Sequence, residues 1–243
     1  MPASKYEEIY RSIKAEIENS TYTRGDFLPS ENEYVQRFGC SRNTVRRALA
    51  MLSQEGYVLA RHGAGVQVIY QKNPDSLNLF SVGGIESLAE AASRNAKKVR
   101  TKILVFETVV CDEELSLKTG FDTGEKLFHI ERLRVIDGEP LILDINYFLV
   151  SEMPDLTKEI ASHSIYDYLE HDLGMTITNS RRRVTAEPST KRDEKYLNLG
   201  HQHFVLAVAG QVFNTKGIMF EYTESRHRPD RVCFIQSAVR QKI

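Results

Sequence analysis

The sequence predicts an α+β chain in two parts: a small helical domain closed by a β-hairpin, then a larger domain on a mainly antiparallel sheet. Three observations carry this. Apolar residues recur at helical spacing before residue 56, interrupted by two helix-capping signals. A polar, proline-containing stretch follows at residues 71–80, and beyond residue 100 strand-length runs alternate with turn signals. The 243 residues suffice for two compact cores, and 41% hydrophobic with 27% charged residues excludes a disordered or fibrous chain. A net charge of −1 means that any nucleic-acid contact must come from a local patch. Cys40, Cys111 and Cys233 are odd in number and scattered, which argues against a disulfide framework and for a reducing, cytoplasmic setting. The first eight residues lack a signal-peptide core, and no apolar run approaches the ~18 residues of a membrane span, so no membrane contact is expected.

In chain order, Tyr6, Ile9, Tyr10, Ile13 and Ile17 place a helix over residues 5–19. After Gly25 and Pro29, Ser30 and Glu33 form a capping box, in which each side chain satisfies a backbone donor at the helix start. That helix stops at Phe38-Gly39, and Ser41 caps another running through Val45, Leu49 and Leu52 to Gly56. Two helices across a tight glycine turn make a helix-turn-helix. Residues 57–60 and 66–69 then flank the turn Arg61-His62-Gly63-Ala64-Gly65, a hairpin or wing with a basic tip.

Arg42, Thr44, Arg46 and Arg47 crowd the first two turns of the second helix. Cations there oppose the helix dipole, so helix stability does not favour them. Major-groove recognition does, because a recognition helix meets base edges with its N-terminal residues and Arg bonds guanine in two places. Between residues 41 and 62 only Glu55 opposes four arginines, which supplies the local patch. The competing reading is a small helical bundle with a solvated arginine face.

Residues 71–80 form a linker between a domain over 1–70 and one over 81–243. In the second domain, helices are expected at 86–95, 164–173 and 190–198. Strands are expected at 102–110, 126–136, 141–149, 176–187, 203–213, 218–226 and 232–239, with Asp137-Gly138 as a hairpin turn. Period two puts Arg132 and Arg134 on one strand face with Phe128, Ile130 and Ile136. Adjacent arginines on an apolar face repel and lose hydration unless an anion joins them, and their planar heads suit phosphate or carboxylate. An internal salt bridge or an exposed face would explain them equally. Ser164-Ile165-Tyr166 at a helix start and Gly83-Gly84-Ile85-Glu86-Ser87 before another also suit an anion, although a serine there is most often a simple cap.

Leu28-Pro29-Ser30-Glu31, the run from Ser41 to Leu49, and Leu52 through Gly56-Tyr57 resemble the winged helix-turn-helix of the GntR family over residues 1–70. The resemblance implies DNA contacts from Glu31, Arg42, Thr44 and Arg46 and from the wing at His62 and Gly63. Ser30 with the wing would fix the register on phosphates, beside Arg47. Asn32 stands where some relatives carry a basic residue. Residues 80–240, through the strand of Arg132 and Arg134, Asp137-Gly138-Glu139-Pro140, Ser164-Ile165-Tyr166 and the run from Phe220 to Asp230, resemble the effector (UTRA-type) domain of its HutC subgroup. That implies a chorismate-lyase-like fold in which Ser87, Arg132, Arg134, Ser164 and Tyr166 hold phosphate, while Asp144, Glu221 and His227 face sugar hydroxyls. His227 stands where several relatives have tyrosine. The runs 142–148, 156–160 and 222–228 look most like those of subgroup members that govern trehalose use. This implies a homodimeric repressor, released from a pseudo-palindromic double-stranded operator by trehalose 6-phosphate; glucosamine 6-phosphate or another small anion is the alternative effector.

A phosphate pocket would also suit an enzyme. The sequence has no G-x-S-x-G elbow, H-E-x-x-H helix, C-x-x-C pair or dinucleotide fingerprint. His201 and His203 stand two apart, but no third ligand has matching spacing. Asp144 with Glu221 would serve acid–base work or sugar binding alike, and the DNA-binding module makes a sensor the more economical reading. No catalytic residue, metal or cofactor is expected. A constitutive DNA-binding protein with a vestigial pocket is the third reading, opposed by the intact polar set.

Overall fold

The computed structural model describes residues 4–71, 80–82, 85 and 87–234. These fall into two compact units, residues 4–71 and residues from 80 to 234. None of the described helices is long and apolar enough to cross a membrane.

The first unit comprises α1 (Lys5–Glu18), α2 (Glu31–Phe38), α3 (Arg42–Gln54) and the antiparallel pair β1 (Val58–Arg61) and β2 (Gly65–Val68). Ile9, Ile13 and Ile17, four residues apart on α1, pack with Tyr34, Val45, Leu49 and Leu52 into one core. Both expected caps form. Ser30 N donates to Glu33 Oε2 at 2.8 Å while Ser30 Oγ accepts from Glu33 N, and Ser41 Oγ accepts from Thr44 N at 3.2 Å. Gly39 ends α2 at φ 58°, a left-handed position that any Cβ would strain. The wing strands have the expected length but lie one residue nearer the tip, because Tyr57 O accepts from both Ile69 N and Tyr70 N, which ends the ladder there. Tyr57 and Tyr70 stack with ring centroids 4.6 Å apart.

The second unit runs β3 (Phe80–Val82), α4 (Leu88–Arg94), β4 (Val99–Val110), α5 (Glu113–Thr119), β5 (Lys126–Ile136), β6 (Glu139–Leu149), α6 (Lys158–Ala161), α7 (Ile165–Asp167), β7 (Ile177–Pro188), α8 (Lys191–Leu197), β8 (Phe204–Asn214), β9 (Met219–His227) and β10 (Val232–Phe234). Six strands form one antiparallel sheet in the order β4-β5-β6-β9-β8-β7, and β3 pairs in parallel with β10 apart from it. Asp137 and Gly138, at φ 49° and 88°, make the two-residue turn between β5 and β6, since a type I′ turn needs positive φ at both positions.

The pairing registers set side chains in rows across the sheet. Arg132, Asp144, Ser225, Val208 and Val184 share one row. Ile130, Asn146, Thr223, Gly210 and Arg182 share the next, and Phe128, Phe148, Glu221, Val212 and Ser180 the third. On this face an apolar cluster joins Phe128, Ile130 and Phe148 to Ala161, Ile165 and Leu169. The alternate residues Leu133, Leu143 and Val205 pack with Leu197 of α8 on the other face.

Several expected elements differ in extent. Phe80, assigned to the linker, is a strand residue paired with Val232. The helix expected over 164–173 is one α-turn followed by a wider π-type turn over Tyr168–Asp172, which buries Tyr168 and Leu169 in the core. The short α5 and α6 lacked enough turns to show a period, although Asp112 and Thr157 cap them. Residues 72–79 of the linker, Gly83, Gly84 and Glu86 of the glycine loop, and 235–239 of the last expected strand lie outside the described residues.

Candidate functional site

On the first unit, Arg42 and Arg46 stand on the exposed side of α3, 56% and 58% accessible. Arg46 Nε donates to both carboxylate oxygens of Glu31, at 3.0 and 2.9 Å. Arg42 Nη2 donates to Asn32 Oδ1 at 2.6 Å, and its Nε lies 3.8 Å from Glu31 Oε2. Asn32 thus serves as an acceptor for Arg42. Arg47 lies with its guanidinium carbon 3.7 Å from the centroid of the Tyr6 ring on α1, a cation–π contact. Thr44 Oγ1 and Ser41 Oγ are 2.8 Å apart. His62 and Gly63 are exposed at the wing tip, Gly63 at φ 73°. Exposed ion pairs of this kind are held by little free energy and exchange readily for phosphate or base acceptors.

In the second unit a cavity of about 370 Å³ lies over the polar rows of the sheet. Ser87, Arg132, Arg134, Asp144, Ser164, Tyr166, Glu221 and His227, predicted from five separate stretches of sequence, all line it. Arg134 Nε donates to Asp144 Oδ2 at 2.7 Å and its Nη1 to Thr101 Oγ1 at 2.7 Å. Ser225 Oγ donates to Asp144 Oδ1 at 2.6 Å. Arg132 Nη2 donates to Asn146 Oδ1 at 2.9 Å; Asn146 Nδ2 in turn donates to Glu221 Oε1 at 3.0 Å and Thr223 Oγ1 at 2.9 Å. Tyr166 donates its hydroxyl to Glu221 Oε2 at 2.7 Å. Ser87 and Ser164 cap α4 and α7 by accepting from Glu90 N and Asp167 N, which leaves each hydroxyl a hydrogen to donate. Both bland expectations are therefore present alongside the cavity: the serines are caps, and Arg134 has a salt bridge.

Burial and the neighbouring charge of Arg134 pull Arg132 down to about 9. Burial pushes Asp144 up, but Arg134 and Arg132 outweigh it and hold the carboxylate below its usual range. Burial raises Glu221 to about 7 against the hydrogen bond from Tyr166 and the charge of Arg132. Burial also pushes His227 down to about 4 despite the pull of Asp144. Arg132 Nε and both ring nitrogens of His227 are buried without a hydrogen-bond partner among the described residues. Such orphaned polar atoms need a ligand or water to complete them.

The cavity also holds Thr101, Asn146, Ser180, Arg182, Thr223 and Ser225, which the sequence reading missed. Period two gave a signal for three of them: Asn146 follows Asp144 by two, and Thr223 and Ser225 fill the alternation between Glu221 and His227. Arg182 is the middle of three consecutive arginines and Ser180 stands just before them, which masks their alternation. His201 and His203 are exposed, and no cluster of three metal-ligating side chains occurs among the described residues.

Residues 5–68 match the model of the gntR family of bacterial regulatory proteins, and residues 94–232 match the UTRA domain. The chain is 37% identical over 243 residues, the full length of both proteins, to the HTH-type transcriptional regulator TreR of Bacillus subtilis. It is 29% identical over 228 residues to the regulator GmuR of the same organism, covering 94% of this chain and 95% of GmuR. The solved effector-binding domain of the B. subtilis trehalose repressor aligns with 36% identity and a TM-score of 0.54, over 59% of this chain and 99% of that domain. The B. subtilis regulator YydK, at 23% identity, shares the fold with a TM-score of 0.79 over 98% of this chain and 100% of its own. The chain belongs to the GntR family of bacterial transcriptional regulators, in the HutC-type branch that joins a DNA-binding winged helix-turn-helix to a UTRA effector-binding domain.

Proposed function

We propose that this regulator represses a trehalose-use operon and leaves its operator when trehalose 6-phosphate fills the cavity of the UTRA domain. The observation that carries the reading is Arg132, a buried guanidinium that, among the described residues, has no carboxylate of its own and leaves one nitrogen unpartnered. Asp144 is already engaged by Arg134, and Glu221, raised to about 7, is only partly ionised at neutral pH. One end of the cavity therefore carries surplus positive charge, which a phosphate would neutralise. Ser87, Ser164 and Tyr166 would add hydroxyl donors, and Asp144, Glu221 and His227 would face sugar hydroxyls. Full-length similarity to TreR supports trehalose over other sugars.

On the DNA side, Arg42, Thr44 and Arg46 would meet base edges, while Ser30, Glu31, Arg47 and the wing at His62 and Gly63 would fix the register. The active species would be a cytoplasmic homodimer on two half-sites of a pseudo-palindrome, with a linker ending at residue 79 since Phe80 pairs in β3. The protein would bind and not catalyse. Effector and operator binding would oppose each other by ~1–3 kcal/mol.

The test is the thermal stability of the purified protein with trehalose 6-phosphate, trehalose and glucosamine 6-phosphate. At ~100 times its dissociation constant the effector adds about 2.7 kcal/mol, a clear upward shift. A shift with trehalose 6-phosphate alone is the expected result. A shift with glucosamine 6-phosphate instead would replace the effector, and no shift with either phosphate would overturn the pocket assignment.

A further inference from the structure

Arg182 on the edge strand β7 lines the cavity yet makes no ion pair with any described residue. Its register neighbour on β8 is Gly210, whose own neighbour on β9 is the cavity residue Thr223. Gly210 has no unusual backbone angle, so conformational freedom does not account for it. Space does: a Cβ there would come within 2.9 Å of Arg182 Cγ and 2.7 Å of the Arg181 carbonyl oxygen. The arginine stem thus lies over a gap in the row that runs Asn146, Thr223, Gly210, Arg182. The charge of Arg182 is felt at Tyr166, whose hydroxyl it favours in the ionised form, although burial and Glu221 raise that hydroxyl well above its usual range. Ser180, one row along, lines the same end.

The span matters. Arg132 on β5 and Arg182 on β7 are separated by four strand-to-strand steps, about 19 Å at the usual inter-strand spacing. That is the distance between backbones; both guanidinium groups reach inward from it and are felt at Tyr166, so a ligand with its phosphate at Arg132 meets Arg182 with the ring farther from the phosphate. Resting on the reading of the cavity as a sugar-phosphate site, we infer that Arg182 and Ser180, with Gly210 beneath the arginine, form the subsite for the unphosphorylated ring. They make the pocket selective for disaccharide over monosaccharide phosphates. Arg182 donates hydrogen bonds to ring hydroxyls there, and its exposure leaves the fold independent of it.

Arg182→Gln is measured by calorimetric titration of the full chain with trehalose 6-phosphate, glucose 6-phosphate and inorganic phosphate. Arg183→Ala, an exposed neighbour of opposite strand parity, is the control. Removing a charged donor weakens trehalose 6-phosphate binding about 10- to 100-fold. Glucose 6-phosphate and phosphate binding stay as in the parent, and Arg183→Ala changes none of the three. Unchanged trehalose 6-phosphate affinity in Arg182→Gln overturns the subsite. Equal weakening of all three ligands, or the same loss in Arg183→Ala, also overturns it by showing a general charge effect. If none of the three binds the parent chain, the sugar-phosphate reading itself falls and the subsite with it.

Discussion

Arg46 on α3 is more than half exposed and shares the carboxylate of Glu31 with Arg42, whereas Arg134 on β5 is 6% exposed and pairs with an Asp144 that also takes the Ser225 hydroxyl. The same side chain is thus held in two opposite ways. A surface pair contributes little to stability, because water competes for both charges, and it can be surrendered to a phosphate or a base. A buried pair has lost its hydration, so removing one member strands the other. On the proposed function, the arginines of α3 need to let go, and those of the cavity need to keep their shape while a ligand comes and goes.

The sharpest way to break this comparison is Arg134→Ala, which leaves Asp144 buried without its main partner. A loss of about 3–5 kcal/mol is expected in denaturant unfolding. Arg134→Met with Asp144→Leu should restore most of that stability while sugar-phosphate binding stays lost. If the single variant unfolds like the parent, the pair is not structural.

The second test is pH. Glu221 has a folded pKa of about 7, above its unfolded value, so the stability it contributes is full below the unfolded pKa near 4.5 and is lost as pH rises toward 7. His227, lowered to about 4, has the opposite sign: its contribution is full above about 6.5 and is lost as pH falls toward 4. The two partly cancel in the parent. Glu221→Gln removes one side, so its stability relative to the parent should rise between pH 5 and 8 by up to about 3 kcal/mol, and its acid loss should steepen. Parallel stability–pH curves for parent and variant would refute the raised pKa.

The smallest effect on the fold is expected from Arg46→Ala. Stability should change by less than about 0.5 kcal/mol, while operator binding weakens by roughly 1–3 kcal/mol with relaxed base preference. Gel-shift titrations on operator variants would show it, and unchanged preference would remove Arg46 from base recognition.

What the sequence made legible was local. Caps at Ser30 and Ser41, the Gly39 stop and the Asp137-Gly138 turn are each decided within four residues, and all formed. Period two placed Arg132 with Arg134 correctly and was enough to have found Asn146, Thr223 and Ser225. Contacts between distant segments stayed hidden. Nothing near Arg46 announces that Glu31 will hold it, and the stacking of Arg47 on Tyr6 joins helices far apart in sequence. Arg182 was lost in its run because the cavity role of an edge strand depends on what its neighbours leave open, here a glycine on another strand.

The alternation along β9 has a further consequence. Glu221, Thr223, Ser225 and His227 line the cavity, while Tyr222 packs with Leu127 and Leu149, Glu224 pairs with Lys118, and Arg226 binds Asp193 and Glu187. Deleting or inserting one residue would swap the two sets, sending Arg226 toward the cavity and its polar floor into a hydrophobic cluster. Over evolutionary time this strand can change its ligand one substitution at a time, but its length is frozen.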